Sequence, residues 1–289
     1  AHGESRDIPG QPLYSYRISD DTIVGPKQKI VLVGGNHGGE PLGSHALEGM
    51  VDFLLSSDPM AASIRRRAEI FVYPQVNPEG RYAGYFRTSV ERPDDNYNRT
   101  WDCSNGGSDK ALIRDSMVAD VGGPIDILLD FHNQFEELDG IDEVLVGAAN
   151  TGDDYVVNLA AAGVEIVTPS TSFSGVLRNW AASTYDGTSS GGLGASLAIT
   201  PEPRPGAGRT IADYRAHGEV YGRSLYATLQ CPSTNPCVGD INADGTVDSL
   251  DLLVVLGGWG LCCDGDLNCD GTVDSLDLLL VLGAWGPCP

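Results

Sequence analysis

Positive charge is scarce in this chain: 18 Lys and Arg stand against 40 Asp and Glu, a net charge of −22 over 289 residues. That deficit argues against nucleic acid or an anionic membrane as partner, because phosphate binding is driven by Lys and Arg. Long apolar runs are also missing. The longest, Leu252–Leu256 and Leu278–Leu282 with their Gly/Trp tails, stop at about ten residues, whereas a membrane span needs about 20. Residues 237–289 lack Lys, Arg, His and Glu altogether, yet hold nine Asp and five of the seven Cys. The rest of the chain has a different composition, so the sequence divides into a body (1–230), a short Pro/Ser/Thr linker (231–236) and an acidic tail (237–289). Hydrophobic residues make up 41% of the chain, enough for a real core and against wholesale disorder. The first residues lack the basic start and apolar stretch of a leader, but an acidic, Cys-bearing tail predicts an extracellular, oxidising location.

Within the body, short apolar strands alternate with amphipathic segments. Lys29–Gly34 (KIVLVG) reads as a buried strand that runs into Gly-Gly. Leu42–Leu55 has the spacing of an amphipathic helix, and Glu69–Val76 is a second strand closed by the turn Asn77–Gly80. Residues 84–109 are polar and too long for a plain connector. A helix is expected over Asp109–Ala119, and Ile125–Phe131 (IDILLDF) is the most strand-like run. Further segments at Glu143–Val146, Asp153–Ala162, Glu165–Val167, Ser196–Thr200 and Ile211–Leu229 continue the rhythm. The pattern predicts an α/β layer fold, whose ligands gather at strand ends.

Histidine is rare, with five residues in all. His37 and Glu40 are three apart directly after the first strand, where Gly38 and Gly39 permit a tight turn. His132 closes the strongest strand. Two His and one Glu with an open fourth position form the ligand set of a hydrolytic zinc centre. His45 is expected to pack or cap on its helix, His217 to lie exposed on the closing helix, and Asp130 to be structural.

HGGE at 37–40, NPEG at 77–80, Arg87 within FRT, NRTWD from Asn98 to Asp102, DFHN around His132 and TPE ending at Glu202 occur in the order used by zinc carboxypeptidases of the carboxypeptidase A type. Over most of residues 25–230 the chain resembles that family. The resemblance implies an α/β fold with a mixed central sheet and helices on both faces, and one catalytic Zn²⁺ on His37, Glu40 and His132, with Glu202 as the general base. Arg87 would stabilise the developing oxyanion, Asn98 and Arg99 would grip the substrate's terminal carboxylate, and Tyr185 would be the mobile tyrosine. Glu202 departs from the family pattern in lying between Pro201 and Pro203. The implied substrates are peptide C-termini. Two other readings compete: an N-acyl amino acid deacylase of the succinylglutamate desuccinylase or aspartoacylase kind, and a non-catalytic binding or assembly component.

The tail is an internal duplication, GDINADGTVDSLDLLVVLGGWG against GDLNCDGTVDSLDLLLVLGAWG. Each copy carries D-x-N-x-D-G-x-x-D-x-x-D, the spacing of a Ca²⁺ loop. The oxygen ligands are Asp240, Asn242, Asp244, Thr246, Asp248 and Asp251 in one, and Asp266, Asn268, Asp270, Thr272, Asp274 and Asp277 in the other. With one helix after each loop and none before it, the tail resembles dockerin modules. That resemblance implies a small all-α unit with two structural Ca²⁺ and attachment to a cohesin-like scaffold protein; a purely stabilising cap is the alternative. The Cys also repeat, and one symmetrical solution pairs Cys237 with Cys262 and Cys263 with Cys288, leaving Cys103, Cys231 and Cys269.

Overall fold

The computed structural model describes residues 3–4, 11–23, 26–102, 108–135, 140–169, 175–229, 237–242, 244–260, 265–267 and 273–288. The body is built on a seven-stranded sheet. Its strands are β1 (Tyr16–Ile18), β2 (Gln28–Gly34), β3 (Ala68–Tyr73), β4 (Ile127–Phe131), β5 (Asp142–Leu145), β6 (Glu165–Val167) and β7 (Leu197–Pro203). They lie in the order β1-β3-β2-β4-β7-β5-β6. The β3-β2-β4-β7 centre is parallel, and β1 and β5 join it antiparallel. The chain leaves β2 towards β3 on one side and later places β4 on the other. The C-terminal ends of β2 and β4 therefore form a switch point, the crevice where open α/β sheets bind ligands.

Alternation in the strands supplies two cores. Ile30, Leu32, Ile70, Val72, Leu129 and Phe131 face one side. There they meet α1 (Pro41–Leu55), α2 (Pro59–Arg67), α5 (Asp154–Ala161) and α7 (Ile211–Leu229). Val31, Val33, Phe71, Tyr73 and Leu128 face the other, together with Trp101 and Trp180. They meet α4 (Ser108–Val121) and α6 (Leu177–Ala182). The turn expected at 77–80 is the start of a short helix, α3 (Pro78–Ala83). Pro78 suits its first position, and Asn77 caps it by accepting from the Gly80 N–H at 3.1 Å.

Glycine sets how closely α1 approaches the rest. A Cβ at Gly43 would lie 2.0 Å from the His132 carbonyl oxygen, and one at Gly218 of α7 would lie 1.9 Å from that of Ala46. Helix α1 is thus wedged between α7 and the backbone of a predicted metal ligand.

In the tail, α8 (Ser249–Gly257) and α9 (Ser275–Gly283) pack around Val247, Val255, Val273 and Val281, which are two pairs in matching positions of the repeat. The unit is not all-α, since Thr246–Val247 pairs antiparallel with Gly286–Pro287. Each helix begins with a reciprocal cap between Asp248 and Asp251, or Asp274 and Asp277. The symmetrical disulfide solution is overturned: Cys237 bonds to Cys288, with Cα atoms 5.4 Å apart. That bridge spans the whole duplication instead of stapling each half, because the antiparallel pairing brings the two ends together. Cys103, Cys231, Cys262, Cys263 and Cys269 lie outside the described residues, as do Asn268, Asp270 and Thr272.

Candidate metal centre and hydrolytic site

His37, Glu40 and His132 come together at the switch point, all buried, with their ligating atoms within 4.8 Å of one another. Both rings present Nδ1 to the same carboxylate. His37 Nδ1 lies 2.8 Å from Glu40 Oε1, and His132 Nδ1 lies 2.7 Å from Oε2. The opposite nitrogens are engaged elsewhere. His37 Nε2 faces Asn96 Oδ1 at 2.9 Å, and His132 Nε2 faces Asp130 Oδ2 at 2.9 Å. Both of those partners are acceptors, so each ring donates from Nε2 and leaves Nδ1 to face the Glu40 carboxylate. Metal-binding histidines are held in this way. Asn36 donates to Asp130 and accepts from the Trp101 indole at 3.3 Å, which fixes the carboxylate in turn. The donor set fits a zinc ion.

Charge in the cluster is tightly balanced. Burial opposes ionisation of Glu40, but His132 and His37 hold its carboxyl well below the usual range. Burial likewise opposes a charged His132, yet Asp130 and Glu40 raise it well above the ordinary value. His37 is shifted down, chiefly by burial.

The remaining predicted residues surround this centre. Arg87 donates from Nη2 to Glu40 Oε1 at 3.1 Å, and its guanidinium carbon sits 5.5 Å from the centre of the Phe135 ring. Glu202 lies on β7, beside β4. Burial pushes its carboxyl up to about 8: His132 pulls it down, while Glu40, Asp130 and Glu143 push it further up. The flanking prolines fit the strand. The Pro201 and Pro203 carbonyls accept from the His132 and Gln134 N–H groups, each at 2.9 Å, so the β4 side of β7 accepts at both prolines without needing their missing donors.

Asn98 and Arg99 sit in a single 3-10 turn, Tyr97–Arg99. The Asn98 side chain points inward: Oδ1 accepts from the Leu177 N–H at 2.8 Å, and Nδ2 lies 3.1 Å from His132 Nε2. Burial, with the nearby charges of Arg87 and Arg178, holds Arg99 below the usual guanidinium range. Tyr185 packs against the second core and lines a cleft with Asp115, Val118 and Ala119 of α4; none of its described contacts is with the metal-site residues. His45 makes a partly exposed contact with Glu48, 3.2 Å away and three residues on. His217 is buried, contrary to expectation, because it faces the buried Asp142 carboxylate at 2.9 Å.

Several functional groups escaped the sequence reading. Asp130 orients His132, and its place two residues earlier on one strand face was the available signal. Asn96 and Asn36 had none. Arg178 on α6 bonds Thr200 Oγ1 at 3.1 Å, and the charges of Asp130 and Glu202 act on it. Lys110 is buried and binds the Tyr97 carbonyl at 2.6 Å and Thr100 Oγ1 at 2.5 Å, which pins the turn that carries Arg99.

Comparison with known proteins agrees with this geometry. Residues 4–111 match the family model of the zinc carboxypeptidases, peptidase family M14. Cytosolic carboxypeptidase 6 of Caenorhabditis elegans is 36% identical over 89 residues, which is 31% of this chain and 19% of that protein. The match thus spans under a fifth of that relative's length. A metallo-carboxypeptidase from Burkholderia cenocepacia shares the fold with a TM-score of 0.64 at 18% identity, covering 79% of this chain and 63% of its own. A succinylglutamate desuccinylase from Vibrio parahaemolyticus shares it more loosely, with a TM-score of 0.51 at 17% identity over 74% of this chain and 70% of its own. These relatives also correct one expectation. Curated proteins that match are named cytosolic carboxypeptidases, which points away from the extracellular location read from composition. The match over residues 4–111, the shared fold and the His–Glu–His set together make this part of the chain similar to the M14 zinc carboxypeptidases, with a donor set that suits zinc.

Proposed function

We propose that the body removes C-terminal residues from peptides. The observation that carries this is the convergence of two inward-facing Nδ1 atoms on Glu40 at the switch point, beside the strand that presents the half-buried Glu202. A zinc ion held by His37, Glu40 and His132 supplies a Lewis acid and a water of lowered pKa. Glu202 takes a proton from the attacking water and returns it to the leaving amine. Arg87, half exposed at the edge of the centre, offers a fixed cation to the oxyanion. Arg99 provides the planar fork suited to a terminal carboxylate. Asn98 ties the turn to α6 by accepting from the Leu177 N–H, and Arg178 adds cationic charge on the same side. Three arginines on one side of the centre, in a chain with a net charge of −22, favour an anionic substrate end.

The Vibrio desuccinylase shares the fold, so an N-acyl amino acid deacylase is the second reading. The zinc-loaded chain is therefore expected to release free C-terminal amino acids from N-blocked peptides of two to six residues. N-succinyl and N-acetyl amino acids are expected to turn over at least about 100-fold more slowly, since they lack the extended peptide that binding can use. Faster turnover of the acyl amino acids would transfer the assignment to the deacylase reading.

For the tail we propose two calcium ions, one in each Asp-rich loop, and attachment through the repeated helices to a cohesin-like scaffold. The loops' spacing supports the ions. The exposed Leu250, Leu253, Leu276 and Leu279 support a docking role, since both helices carry them in matching places. Nine Asp without a cation repel one another, so removing calcium with EGTA is expected to melt the tail's helices while zinc and hydrolytic activity remain with the body. Circular dichroism and an activity assay on the same full-length sample check this. An unchanged melting profile would remove calcium from the tail.

A further inference from the structure

Behind Glu202 lies a group of buried polar side chains that the proposed chemistry does not use. Asp142, at the start of β5, accepts the Glu202 backbone N–H on Oδ1 at 3.1 Å. Its other oxygen, Oδ2, is held from α7 by His217 Nε2 at 2.9 Å and by the Tyr221 hydroxyl. His217 and Tyr221 are four residues apart, so one helical face presents both. All three are buried. Asp142 pairs across the strands with Pro203, and Glu202 with Glu143.

We propose that Asp142, fastened by His217 and Tyr221, is a positioning residue that fixes the backbone of Glu202 and so aims its carboxylate at the metal centre. The inference rests on Glu202 acting as the base. Three restraints act on that one residue: prolines fix φ immediately before and after it, their carbonyls tie β7 to β4, and Asp142 clamps the N–H on the β5 side. A buried carboxylate is an expensive way to satisfy one strand amide. Aiming a base, where about 1 Å of misplacement costs about 100-fold in rate, accounts for it.

The test uses the full-length, zinc-loaded chain. In D142A, kcat for peptide hydrolysis is expected to fall about 10- to 100-fold with KM and zinc content unchanged. D142N keeps the acceptor and should recover most of the loss. Hydrogen exchange at the Glu202 amide, read by NMR, should quicken in D142A and stay slow in D142N. Y221F, which removes one donor to Asp142, should quicken it to a smaller degree and serves if D142A does not fold. A slow Glu202 amide in D142A, or in Y221F if that variant carries the test, overturns the inference, as does an unchanged kcat. Glu202→Gln run alongside separates the two ideas. If that variant keeps full turnover, Glu202 is not the base; if it loses turnover while D142A does not, only the positioning role falls.

Discussion

Glu202→Gln is expected to lower kcat for peptide hydrolysis by about 100- to 10,000-fold, the range a positioned general base supplies. KM and zinc content should stay close to wild type, since the three metal ligands and Arg99 are untouched. The same variant carries a second signature that needs no turnover. In the zinc-free protein burial holds the Glu202 carboxyl at about 8, above its ordinary value of 4.5. Between those values the folded chain binds a proton that the unfolded chain has released. Stability therefore falls as pH rises from about 4.5 to about 8 on this group's account, and levels off above. Glutamine does not titrate. Zinc-free Glu202→Gln should then melt higher than zinc-free wild type at pH 8.5, by about 5 °C or more, with the gap closing below pH 5. Scanning calorimetry at the two pH values checks it. A gap that does not depend on pH would mean that Glu202 is already ionised in the folded protein.

Glu40→Gln should have the larger effect on the metal. Both Glu40 oxygens face a histidine Nδ1, one of them also receives Arg87, and the carboxylate is almost wholly buried. Removing its charge takes away a ligand and leaves a raised, buried His132 with less to balance it. Zinc affinity is expected to fall by more than about 100-fold, beyond what loss of a residue supporting a ligand costs. Hydrolysis should vanish with it. For wild type the sign of the pH effect follows from His132: its proton must leave before metal binds. Zinc binding should weaken about tenfold for each unit that pH drops below neutrality while that one proton is displaced. Competition titration with a zinc chelator measures both effects. An affinity indifferent to pH would mean that His132 is already neutral.

Much of this site could be read from the chain alone because its ligands follow strands directly. KIVLVG and ILLDF announce their own ends, and Gly-rich or polar residues begin where the strands stop. His37, Glu40 and His132 were therefore placed by short-range rules. The residues that orient them obey no such rule. Asn96 and Asn36 act across 59 to 94 residues of sequence, and their roles exist only after the sheet has set its order. His217 was misjudged for the same reason: helix periodicity cannot show that a buried Asp142 lies opposite. In the tail, the duplication suggested that each copy closes its own bridge. The pairing of Thr246–Val247 with Gly286–Pro287 brings the outermost cysteines together instead, a relation between the two ends that a repeat pattern does not encode. Composition misled about location because the acidic, Cys-rich signature belongs to the tail, whereas the relatives match the body.

The bare flank of Gly43 against the His132 carbonyl ties the candidate metal centre to the packing of α1 on α7. Because α1 is also seated on α7 with no side chain between Gly218 and Ala46, a bulkier residue at Gly218 would push α1 towards the His132 backbone. Loss of metal, more than loss of fold, would then be the first symptom of damage to an interface that never touches the ion.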